Sequence, residues 1–159
     1  MSSELNFFNK FLEYIGGGVI DLKTDTIKLM LVTSDYVFDA AHAVLADVQA
    51  STDPEVAAVA SPNNGYTSGG AVLSGQTYLA TDSPAQSMFD ANDVTWEALT
   101  ATFRHGILYA AKTIGSPEIV NPLIACITFD TTPADIVVNG VDYVVQWNAA
   151  GIFTLSKAA

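Results

Sequence analysis

The stretch DTIKLMLVTS, residues 25–34, sets how the rest of the chain is read. Ile27, Leu29 and Leu31 alternate with Lys28, Met30 and Val32, and after Lys28 every position is apolar. That is the pattern of a strand covered on both faces for most of its length.

On its N-terminal side lies SSELNFFNKFLEYIGGG, where Leu5, Phe8, Phe11, Leu12 and Ile15 recur at three- and four-residue spacing. This spacing predicts a helix with one apolar face, started by a Ser2 or Ser3 cap and stopped by the glycines at 16–18. Phe7 and Tyr14 widen the stripe, which can be buried on the chain's own domain or on a neighbour. On its C-terminal side, DYVFDAAHAVLADVQAS places Phe38, Ala41, Val44, Leu45 and Val48 at helical spacing and predicts a short helix or helical turn.

Residues 52–75 turn polar and small, with Pro54, Pro62, Asn63, Asn64 and several glycines. A loop of that length usually serves binding or contact. Short apolar runs then recur at regular spacing to the end of the chain, separated by turn signals. The pair Asn139-Gly140 between IVV and VDYVVQW reads as a tight hairpin turn, because both residues tolerate positive φ. The expected fold is mainly β, a β-sandwich or jelly-roll with a short N-terminal α-helix. The expected organisation is a helical arm at residues 1–18 and one β-sandwich domain at residues 19–159.

The stretch GAVLSGQT, residues 70–77, differs by one letter from a phosphate-binding loop. Such a loop needs an apolar strand leading in, a helix leading out and a lysine for the phosphate charge. Here the lead-in is the turn-rich NNGYTSG, Gln76 stands where the lysine belongs, and the residues after it alternate like a strand. The glycines are better explained by tight turns and a close backbone approach at the start of a strand.

Composition narrows function further. Six Lys and Arg against 17 Asp and Glu give a net charge of −11, which repels nucleic-acid phosphates and argues against nucleic acid as a partner. Apolar residues make up 50% of the chain and charged ones only 14%, a balance suggesting that another chain covers some apolar surface. Cys126 is the single cysteine, which excludes an internal disulfide or cysteine metal cluster; in PLIACITFD it reads as a small buried hydrophobe. MSSELNFF lacks the features of a signal peptide and no apolar run is long enough to span a membrane, so the expectation is a soluble protein made in the cytoplasm.

Asp35, Asp39 and His42 would share a face if their segment were helical, and two carboxylates with an imidazole could hold a divalent ion. A solvated polar face is preferred, because no fourth ligand is identifiable. His105 reads as a strand-edge or interface residue. Asp90, Asp93, Asp130, Asp135 and Asp142 lack calcium-loop spacing and read as turn caps. No serine has a nucleophile-elbow context. The expectation is a noncatalytic protein without cofactor or metal.

DTIKLMLVTSDY, the helical DAAHAVLADV after it, the loop GYTSGGAVLSG, then FDANDVTWEALTATFRHGILY and the closing WNAAGIFTLS resemble a family of small structural proteins encoded in the virion gene clusters of tailed bacteriophages. The shared pattern covers residues 21–156. The resemblance implies a β-rich virion component assembled in the host cytoplasm. Some such proteins are capsid cement or decoration proteins, sitting as homotrimers on the major capsid protein lattice; others are tail, head-fibre or receptor and carbohydrate-binding parts. The contact residues expected to be exposed are Phe7, Phe8, Phe11 and Tyr14 of the helix, Asp53, Pro62, Asn64 and Tyr66 of the long loop, and Trp96 at a strand edge. The helix before Gly16 and the loop at 52–64 stand outside the shared pattern and are expected to adapt it to one capsid.

Overall fold

The chain enters the fold as a strand. In the computed structural model, which describes residues 2–50, 52–57, 64–82 and 85–156, β1 (Glu4–Phe7) pairs antiparallel with β10 (Leu123–Thr128), Glu4 opposite Thr128 and Phe7 opposite Ala125. The helix α1 is confined to Lys10–Gly16. This corrects the expectation of one helix starting at Ser2 or Ser3. β10 offers backbone partners to four consecutive residues, whereas a short helix gains little from its own hydrogen bonds without tertiary packing. The helical stripe is accordingly used only in part: Phe8 and Phe11 are buried while Leu12 is 61% exposed. α1 stops where the glycines predict, with Gly17 N–H donating to Glu13 O and Gly18 N–H to Ile15 O.

The strand expected within residues 25–34 is present as β2 (Ile27–Val32). It lies between β7 (His105–Ala110) and the short β3 (Ala71–Val72), giving an antiparallel five-stranded sheet in the order β1-β10-β7-β2-β3. Both faces of this sheet are covered. Ile27, Leu29 and Leu31 join the main core, while Met30 and Val32 join a second cluster on the opposite face. β7 divides in the same way, Leu108 and Ala110 against Ile107 and Tyr109. In β10 the register shifts between Leu123 and Ala125, so Ile124 and Ala125 both serve the main core while Cys126 serves the other.

The main core is closed by smaller antiparallel sheets. β4 (Thr77–Asp82), β5 (Ala85–Asp90) and β12 (Phe153–Ser156) pair in the order β12-β5-β4. The strands β6 (Val94–Phe103) and β11 (Ile136–Val145) form a two-stranded ribbon, and β8 (Thr113–Ile114) with β9 (Ile119–Val120) makes a small hairpin. Phe89, Trp96, Leu99, Phe103 and Phe153 from these elements pack against Leu29, Leu31, Leu108 and Ile127 of the large sheet. The architecture is mainly β, sandwich-like, with a short helix near the N-terminus.

The hairpin expected at Asn139-Gly140 is not a turn. Both residues lie inside β11, where the register to β6 shifts between Asn139 and Val141, at Gly140 with φ +67°, and again between Val141 and Tyr143, where Ala98 on the facing strand has φ +49°. The same tolerance of positive φ that suits a tight turn suits a β-bulge, and the two cannot be told apart locally. Gly140 N–H donates to Thr100 Oγ1 at 3.0 Å, and Asp142 Oδ1 accepts from Ala98 N–H at 2.9 Å.

The second core cluster is capped by the segment after β2. Tyr36, Leu45 and Val48 pack with Phe8 over Met30, Ile107 and Cys126. Of the expected helix only α2 (Leu45–Val48) forms. Asp39 Oδ1 accepts from Ala41 N–H at 2.9 Å, a local bond that competes with helix formation. The N-terminal helix is built into both clusters, Phe11 and Tyr14 into one and Phe8 just before it into the other, where a separate helical arm over residues 1–18 was expected.

Candidate functional site

The long loop is held by one carboxylate. Glu55 Oε1 accepts from Tyr66 Oη at 2.9 Å and from Gly69 N–H, and its Oε2 accepts from Ser68 Oγ. The Tyr66 hydroxyl also accepts from Leu31 N–H at 3.2 Å, and Tyr109 Oη donates to Gly69 O at 2.6 Å. Burial pushes both phenols up, Tyr109 to about 12, with the Glu55 charge adding to the shift. Two loop segments are thereby fastened to β2 and β7. Asp53 is exposed at the loop's start; its Oδ1 accepts from Glu55 N–H at 3.0 Å. Asn64 is half-buried, with Nδ2 donating to Ala57 O and Oδ1 accepting from Tyr66 N–H. Pro62 lies outside the described residues.

The aromatic contact residues expected to be exposed are, with one exception, turned inward. Phe8, Phe11, Tyr14, Tyr66 and Trp96 are all at most 6% exposed. Phe7 is half-buried, stacked on Phe11 and edge-on to Phe153. The expectation of exposure is overturned for these five because an aromatic on a small β framework gains more by filling one of the two core clusters than a lone surface position can offer.

The Asp35, Asp39 and His42 group does not assemble a metal site: the described residues contain no cluster of three or more such ligands. His42 Nδ1 instead meets the Tyr36 hydroxyl at 3.2 Å. The Tyr36 ring also meets His105 edge-on at 6.0 Å, so both histidines of the chain flank one tyrosine, a neighbourhood that a spacing of 63 positions conceals. His105 Nδ1 pairs with Thr128 Oγ1 at 3.0 Å, and burial, with Arg104 nearby, holds its pKa below the ordinary histidine value. Cys126 is buried and its thiol is pushed up to about 12 by desolvation, as a core hydrophobe would be.

Gly70 of GAVLSGQT is buried against β2. A Cβ there would lie 2.1 Å from Leu29 O, and Gly70 has φ +83°. The glycine permits close approach of β3 to β2, as the sequence suggested. Gln76 Nε2, at the position of the missing lysine, donates to Leu22 O and Asp25 O. Its amide is thus spent on tying the start of β4 to the turn before β2.

Exposed apolar side chains are spread over the surface, Val37, Leu12, Val72 and Leu79 among them, and three more lie along β11 of the ribbon. Val137, Val141 and Val144 are 72%, 58% and 49% exposed, and Val137 and Val144 stand opposite Thr102 and Thr95. Beside the ribbon, a groove of about 510 Å³ runs between β1 and the end of β11, with Phe129, Tyr143 and Trp147 on its walls. Trp147 is anchored there, Nε1 donating to Asn92 O at 3.0 Å. Sequence reading passed over these valines because the bulge inside β11 looked like a turn. No family model, curated protein or solved structure matches this chain.

Proposed function

We propose that this chain is a noncatalytic structural protein of a tailed-phage virion, a capsid cement or decoration protein that bridges neighbouring capsomers. Its partner is the major capsid protein, it acts as a homotrimer on the capsid surface, and it assembles in the host cytoplasm. Supporting this are the resemblance over residues 21–156 and the mainly β framework. The observation that carries it is the exposure of three valines along one strand of the ribbon, Val137, Val141 and Val144, on a chain of net charge −11. Three of the six cations are tied to the chain's own carboxylates: Lys10 to Glu13, Arg104 to Asp135 and Lys112 to Asp25, at 2.7 to 2.8 Å. The charge left over is predominantly negative, which suits the outside of a filled head better than contact with DNA.

Light scattering of the purified protein with and without empty capsid shells tests this. Binding in a fixed ratio to shells is the expected result; a protein that ignores shells at all concentrations ends the reading. A second reading, a tail, head-fibre or receptor and carbohydrate-binding module, is favoured by Phe129, Tyr143 and Trp147 converging on one groove. A saturable change in Trp147 emission on titration with oligosaccharides, without shell binding, would select it.

A further inference from the structure

The sequence sets Asn before Gly twice, at residues 64–65 and 139–140, and the fold treats the two pairs differently. An asparagine carboxamide is open to attack by the main-chain nitrogen of the next residue, and glycine, with no Cβ, hinders that approach least. At Asn64 both ends of the carboxamide are engaged: Nδ2 donates to Ala57 O at 2.8 Å and Oδ1 accepts from Tyr66 N–H at 3.2 Å. Gly65 is wedged against β6, where a Cβ would lie 2.4 Å from Glu97 O. The side chain therefore cannot swing onto Gly65 N without breaking both bonds in a packed turn.

Asn139 has none of these restraints. It and Gly140 are exposed, its carboxamide makes no hydrogen bond among the described residues, and a Cβ on Gly140 would meet nothing within 4 Å. A regular ladder would hold the backbone extended and keep the carboxamide away from the next nitrogen. Here the ladder is broken, since the register to β6 shifts between Asn139 and Val141 and again between Val141 and Tyr143. Among the described residues β11 also has no strand on its other edge. The extra residue of a bulge is left out of the pairing, and a two-stranded ribbon opens locally at low cost. Gly140 N–H is itself held by the hydroxyl of an exposed residue, Thr100, at 3.0 Å.

We propose that Asn139 is a site of spontaneous deamidation in the folded protein, and that Asn64 is shielded from the same reaction. Gly140 N attacks Cγ of Asn139 and gives up its proton to a solvent base. The N–Cγ bond forms, the bond from Cγ to Nδ2 breaks, and Nδ2 leaves as ammonia after taking a proton from water. Water then opens the cyclic imide at one of its carbonyls. Opening at Cγ gives aspartate, and opening at the main-chain carbonyl gives isoaspartate, in which Cβ and Cγ join the main chain. No group is oxidised or reduced. Either product places a new carboxylate between the exposed Val137 and Val141, and isoaspartate lengthens β11 where its register already shifts.

The test holds the full chain in native buffer at mildly alkaline pH, beside a sample in urea, and digests both at intervals. Cleavage after Lys and Arg puts Asn139 in residues 113–157 and Asn64 in residues 29–104, so mass spectrometry follows the two separately and fragment ions place the acid. In the folded protein, position 139 is expected to convert several-fold faster than position 64, while urea brings the two rates together. Enzymatic methylation of isoaspartate gives a second readout. Asn139→Gln, an exchange at an exposed polar position, should abolish that methylation in folded samples. An Asn139 that remains an amide in the folded protein overturns the proposal, as does conversion of Asn64 at the same rate in the folded protein, or isoaspartate in N139Q at the wild-type level.

Discussion

Tyr66 ties the loop to β2, because its hydroxyl donates to Glu55 and accepts from Leu31 N–H while its ring fills the main core. Tyr66→Phe keeps the ring and removes both bonds, leaving a carboxylate oxygen and a backbone N–H short of a partner. The expected cost is about 1–3 kcal/mol, read as a lower urea midpoint with an unchanged slope. Cys126 is expected to resist thiol reagents in the native protein and to react at the rate of global unfolding, since burial holds it in the thiol form. His105 gives a pH dependence. Its folded-state pKa lies below the ordinary 6.5, so the folded protein binds the proton more weakly than the unfolded chain does. Its contribution is therefore complete above 6.5 and lost as pH falls through that value and below. Arg104, Asp135, Thr128 and Tyr36 surround the ring, and among these Arg104 reinforces the shift while Asp135 opposes it. The urea midpoint should fall on acidification from about pH 7 to about pH 5, and His105→Gln should flatten part of that slope.

At the scale of elements, β1 and α1 behave as one structural piece. Phe11 is fully buried, stacked on Phe7 and edge-on to Phe153, so Phe11→Ala is expected to cost about 3–5 kcal/mol in thermal or urea unfolding. Removing residues 1–16 would strip the edge from the five-stranded sheet and open both core clusters. The truncated chain should lose its cooperative transition; a truncation with unchanged stability would mean that β1 does not pair with β10. The ribbon is held differently. Gly140 at φ +67° is the extra residue at the first of two register shifts between β11 and β6, the second lying between Val141 and Tyr143, and a Cβ on Gly140 meets nothing within 4 Å. Gly140→Val should therefore cost stability through backbone strain alone, of order 1–2 kcal/mol, without a packing clash.

Over the whole molecule, the features legible in the sequence came from short-range physical chemistry. Alternation in residues 25–34 identified a two-faced strand, the glycines at 16–18 stopped a helix, and missing lysine and strand-like continuation removed GAVLSGQT from the phosphate loops. Cys126 read as core because its neighbours are apolar. The mainly β class comes from many such local signals agreeing. Tertiary structure decided everything that depends on which distant segment supplies a partner. Residues 4–7 have helical spacing yet pair with β10, because an open sheet edge more than a hundred positions away satisfies their backbone groups. Asn139-Gly140 satisfies a turn and a bulge equally, and only the length of β6 selects the bulge. The aromatics expected on the surface went inside, since exposure is set by what packs against a residue and not by its own chemistry. The groove lined by β1 and the end of β11 exists only once strands from both ends of the chain have found their sheets.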